Sequence, residues 1–122
     1  MSSIEVIECR LSKQTCKNLV LEAINRLDWK VKSEDNFHIE CRKKFNISGR
    51  IPPIFGVTII KLDEYSRINI EKISVLPLVE MRWVKDMLIE IRNGILQTIN
   101  DYEKIEKKEV EDINHKIALG LM

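Results

Sequence analysis

Two stretches of this chain repeat their apolar residues at helical steps, and nearly everything between them alternates. Cys16, Leu19, Val20, Ala23, Ile24 and Leu27 recur three or four residues apart, as do Val84, Met87, Leu88, Ile91, Ile95, Ile99 and Tyr102. Such spacing gathers side chains on one face of an α-helix, whereas a period of two lines one face of a strand. A helix with one dry stripe and a strand with one dry face must each bury it against another element. The pattern therefore predicts an α+β fold of strands packed with a short and a long helix.

The punctuation between the stripes sets the element order. Residues 4–9 read as a first strand, and Ser12 as the N-cap of the first helix, its hydroxyl accepting from a free first-turn amide. That helix ends around Asp28. Trp29, Val31 and Ser33 then alternate with Lys30 and Lys32, and the turn formers of "SEDN" predict a hairpin into residues 37–47. "SGRIPPIFG" follows; Pro52 and Pro53 cannot donate to a ladder, so a loop or sheet edge is expected. Residues 57–62 resume strand character, "DEYS" turns, and residues 67–76 return. There Ile68 and Ile70 share one parity and Ile73 and Val75 the other, which predicts a bulge near Glu71 or Lys72. Pro77 opens the long helix, whose interior Gly94 suggests close approach to another backbone. The order is β-α-β4-α.

In this order, and in "FHIECRKKF", "FGVTIIKLDEYSRINIEKIS" and "VEMRWVKDMLIEIRNGI", the chain resembles a group of small uncharacterised prokaryotic domains. They share an apolar-x-apolar-x-basic strand, a Gly-x-x-Ile strand start and a Trp-bearing final helix. The topology is similar to the fold of the TATA-binding-protein-like and helix-grip (START and pollen-allergen-like) proteins. The likeness spans roughly residues 4 to 102 and implies a curved antiparallel sheet gripped by helices. It implies no activity.

The chain's 122 residues suit one domain. We expect that domain over residues 1–102, followed by a charged helical tail over 103–122. The tail's direction is an open choice. A helix from 78 to 116 would be on the order of 58 Å long, about twice a small domain. Either it breaks near Asn100, where Asn100 and Glu103 have capping-box spacing, or it runs on beyond the body. Tyr102, Ile105, Val110, Ile113, Ile117 and Leu121 keep a loose apolar row, disfavoured in water. Folding back or pairing with a second chain, as in a homodimer, would cover it.

Net charge is +1 and acids and bases are mixed along the chain, which argues against a protein built to neutralise phosphates. Arg42-Lys43-Lys44 and Arg50 leave only weak nucleic-acid binding as a reading, with Glu40, Glu64, Glu71 and Glu80 nearby in the chain. No apolar run is long enough for a transmembrane segment, no secretory signal is seen at the start, and a cytoplasmic location is expected. Enzyme signatures are lacking: the four glycines are scattered, and His38 and His115 have no partners at metal-ligand spacing. We expect no catalytic residues, no metal and no cofactor. Cys9, Cys16 and Cys41 have no CxxC spacing and read as small hydrophobes. Cys16, in a first helical turn, is the candidate for a lowered pKa.

One residue breaks the alternation of residues 37–47: Lys43 shares the parity of Phe37, Ile39, Cys41, Phe45 and Ile47. Lys61 similarly continues the row of Val57 and Ile59, and Lys72 that of Ile68 and Ile70. Either their stems snorkel past the sheet's rim, or Lys43, Lys61 and Lys72 form a cationic mouth. Such a mouth suits a small amphipathic anion such as a lipid, held as helix-grip relatives hold ligands between sheet and helix. A third feature is the proline-stiffened "RIPPIFG", whose Ile54 and Phe55 would be partner contacts if exposed. The leading expectation is a non-enzymatic interaction domain for a protein partner or a second copy, through Ile54, Phe55, Ile105, Val110, Ile113 and Ile117.

Overall fold

The computed structural model of the chain describes residues 4–44, 52–73 and 81–118, with the side chains of the last segment placed over 82–107. The elements are β1 (Ile4–Cys9), α1 (Lys13–Arg26), β2 (Trp29–Asp35), β3 (His38–Lys43), β4 (Phe55–Lys61), β5 (Ser66–Lys72) and α2 (Met81–Ala118). The strands form one open antiparallel sheet in the order β1-β5-β4-β3-β2. Strands β2 to β5 are a meander, and β1 closes against β5. Helix α1 carries the chain from one edge strand to the other. Both helices pack on the sheet and against each other.

Local chemistry explains the ends of the first helix. Ser12 Oγ accepts from the Thr15 amide at 3.1 Å, as an N-cap should. At the other end, Asp28 has φ 62 and takes the left-handed position where helices commonly stop. Asn36, with φ 44, does the same in the tight connection between Asp35 and His38, which face each other across the β2–β3 pair. The hairpin therefore turns later than "SEDN" suggests, because residues 33–35 are still in the strand.

Alternation decides the core. Ile7 and Cys9, Ile39 and Cys41, Phe55, Val57 and Ile59, and Ile68 and Ile70 turn one face to the helices and are buried. Cys16, Val20, Ala23 and Ile24 of α1 and Leu88, Ile91 and Ile95 of α2 fill the other half. Each of the larger aliphatic and aromatic side chains contributes roughly 1.5–3 kcal/mol on burial, and alanine less. The opposite face carries Glu8, Arg67, Thr58, His38 and Glu40, with Ile4, Val6 and Ile60 among them partly open to solvent. An antiparallel sheet tolerates this because only one face has to be dry.

The structure corrects two local expectations. Register runs unshifted through Glu71 and Lys72, so there is no bulge at those residues; Val75 lies outside the described residues. A shift occurs instead in β2, between Val31 and Ser33, on an edge strand, where a bulge spoils pairing with another chain. Finally, Gly94 admits a side chain rather than a backbone. A Cβ there would lie 3.0 Å from Leu27 Cγ at the end of α1.

Candidate functional site

The register separates the three lysines. Cys41 pairs with Phe55 and Lys72 also pairs with Phe55, so Lys43 and Lys72 lie toward one end of the sheet. Lys61 pairs with Ser66 at the other end, six residues along β4 and about 20 Å away at strand rise. They do not share a mouth. Lys43 does point to the helix side, as its parity predicts, but at the rim. Its ammonium sits 3.2 Å from the Glu90 carboxylate on α2. The stem crosses the edge of the core and the charge meets a helix partner in partial solvent, so burial costs little.

Phe55 is not an exposed tip. It is the first residue of β4, has 0% exposure, and its ring lies 5.8 Å from that of Trp29. The two prolines precede a central strand rather than an edge: residues 52–54 stay outside the ladder, and Pro52 and Pro53 are buried. Ile54 is half-buried, and its carbonyl accepts from the Ile73 amide at 2.8 Å. On the outer face His38 Nδ1 is 2.9 Å from Thr58 Oγ1. Among the described residues no three His, Cys, Asp or Glu side chains are grouped as a metal ion would need.

The tail takes the second of its two courses. Helix α2 is continuous over 38 residues, about 57 Å, with no interruption at Asn100. Burial stops where the body stops. Ile99 is buried, Tyr102 is half-buried, and the side chains from Glu103 to Lys107 are exposed, with Ile105 61% accessible. At the exit Asp101 accepts from Arg26 of α1 at 2.9 Å and from Gln97 at 2.9 Å. Those two donors, Arg26 foremost, hold its carboxyl below the usual range. The side chains of Val110, Ile113 and Ile117 lie outside the described residues.

Close to that exit is a group of side chains that sequence spacing does not reveal. Cys9, at the end of β1, and Cys16, in the first turn of α1, have their sulfurs 3.2 Å apart. Ser66 pairs with Cys9 on one side and Lys61 on the other, so the three form a cross-strand row under Cys16. Ser66 Oγ donates to the Leu11 carbonyl at 2.6 Å, fixing the connection between the two cysteines. Lys61 also lines an open hollow with Leu62, Asp63 and Tyr65.

The two thiols share a hydrogen bond and titrate as a pair. Donation from Cys16 lowers Cys9 to about 7 against the opposing effect of burial, helped by the Leu11 amide and Lys61 and resisted by Glu103. Cys16, which keeps the proton, is pushed well up by that same bond, by burial and by the Cys9 charge. Sequence reasoning singles out Cys16 as the acidic thiol from its helical turn; the structure gives that role to Cys9. Cys41, in the middle of the core, is pushed up to about 12 by burial alone.

These shifts set a pH profile for stability. A folded-state pKa of about 7, against an ordinary 9.0, means that the folded chain binds fewer protons between those values. Stability therefore rises with pH from about 7 to about 9, and this contribution is lost as pH falls through 7. Above 9 the raised Cys16 reverses the sign, because only the unfolded chain then releases that proton. Urea unfolding under reducing conditions should show the rise, and Cys9→Ala should flatten it. A profile unaffected by that substitution contradicts the assignment.

No protein-family profile matches the chain, and no curated protein matches it in sequence. Among the described residues, no helix is long and apolar enough to cross a membrane.

Proposed function

We propose that the chain is a non-enzymatic interaction domain that self-associates through the distal part of α2. One observation carries this reading: the helix continues past the last buried residue of the body with an apolar side chain, Ile105, largely in water. In sequence the row goes on through Val110, Ile113 and Ile117. In proteins most helical stability comes from packing an apolar face rather than from propensity, and an apolar row on the part beyond the body is covered best by a second copy in a two-fold arrangement. The body serves as a platform. It anchors the base of the helix through the Ile91, Ile95 and Ile99 row and through the Arg26–Asp101 ion pair.

Sedimentation tests the proposal. The full chain is expected to be a dimer, and a chain ending at Asp101 a folded monomer, since the described core lies before that point. In the full-length protein, Ile105→Asp should shift the equilibrium toward monomer with an unchanged circular dichroism spectrum. A full chain that sediments as a monomer at all concentrations removes the proposal.

A further inference from the structure

We infer that Cys9 and Cys16 form a thiol–disulfide exchange site, in which Cys9 attacks a low-molecular-weight disulfide and Cys16 resolves it into an intramolecular bond. Four observations carry the inference. The sulfurs are already 3.2 Å apart, so a disulfide needs them to close by only about 1.2 Å, within reach of side-chain rotation. The cysteines belong to different elements joined by a short connection that is pinned at Leu11 by Ser66, so the pair is held together by the fold. Both are buried, but unequally: Cys9, at the margin of the core, keeps 9% exposure and Cys16 none, so Cys9 is the thiol nearer to an outside reagent. Finally, the Lys61 ammonium stands one strand beyond Ser66 at the same end of the sheet, next to an open hollow. It favours a thiolate and opposes a metal cation in that position.

The chemistry balances without a cofactor. Cys9 gives its proton to water, and its thiolate attacks one sulfur of a disulfide RSSR. A Cys9–SR bond forms and RS⁻ leaves. Cys16 then loses its proton, attacks Cys9 Sγ and expels the second RS⁻. The two protein thiols are oxidised to one disulfide, and RSSR is reduced to two RSH, which carry the two protons. An attacking thiol is most effective when its pKa lies near the ambient pH, and the value of about 7 at Cys9 meets that condition. Cys41 is an internal control, because it is fully buried and its thiol is pushed far from that range.

The probe is oxidised glutathione, added to the folded full-length chain. Thiols are then trapped by alkylation in denaturant and counted by intact mass. The wild type is expected to lose two hydrogens and keep one alkylatable thiol, mapped to Cys41, with a peptide joining Cys9 to Cys16. Cys16→Ala should stop at one glutathionyl group on Cys9, and Cys9→Ala should react at least tenfold more slowly. Unfolding the wild type in urea should erase the preference for Cys9 over Cys41. Three thiols remaining in the treated wild type, a persistent mixed disulfide there, or Cys9→Ala reacting as fast as wild type, each overturns the inference. The wild-type arm involves no substitution, so misfolding of a variant cannot mimic either result.

Discussion

Phe55→Ala should destabilise the protein by about 3–5 kcal/mol, a large part of what holds a domain of this size together. The side chain has no exposure, and it lies where β4 begins, between Cys41 on β3 and Lys72 on β5. Its ring meets Trp29 on the edge strand at a tilt of 41°, an arrangement that adds to simple burial. Removing it leaves a cavity at the end of the core, and Trp29 loses its aromatic neighbour. Urea denaturation followed by tryptophan fluorescence measures the loss, and Trp29 emission should shift to the red before the main transition. A cost under 1 kcal/mol, combined with weakened self-association, would return Phe55 to the role of a partner contact.

The two readings of Phe55 show what alternation can and cannot convey. Helical stripes and the hairpin strands were legible because their period is fixed by geometry, and a whole face of each is dry. Ser12 as a cap was legible because only a short polar side chain satisfies the first-turn amides. Phe55 was not, because two prolines mark the backbone that precedes it, and they carry no information about where the following strand lies in the sheet. Strand order is a non-local property. Pro52 and Pro53 exclude themselves from a ladder, yet the residue two positions on opens its central strand.

Site residues were legible to an even smaller degree. Parity correctly placed Lys43 on the helix side of the sheet, but parity cannot say which end of a sheet a residue occupies. In a meander, successive strands reverse, so the last lysine of β3 and the last lysine of β4 come to opposite ends. The Cys9–Cys16 pair was missed for a related reason. A strand end and a helix start seven residues apart give no periodic signal; their contact depends on how tightly the connection at Leu11 is folded back by Ser66, which is 55 residues away. The nearest clue in sequence was Cys16 in a first helical turn, and it pointed to the wrong member of the pair.

Ile24→Ala and Leu88→Ala should each cost about 2–5 kcal/mol, while Ile105→Ala should change the stability of the monomer by less than about 0.5 kcal/mol. All three residues belong to apolar rows of helices, and Leu88 and Ile105 belong to the same helix. Ile24 and Leu88 are each 1% exposed, whereas Ile105 is mostly open. Spacing alone would treat them alike; burial separates them. At concentrations low enough to hold the protein monomeric, unfolding should register the first two substitutions as drops in midpoint of roughly 10–20 °C and barely register the third. At higher concentration the third substitution should register too. A dimer stabilises the folded chain by mass action, so Ile105→Ala should then lower the midpoint as well, by an amount that grows with protein concentration. That concentration dependence distinguishes a tail that pairs from a tail that stays a solvated extension of one chain. If the helix stayed solvated on a single chain, Ile105→Ala would leave the midpoint almost unchanged at every concentration.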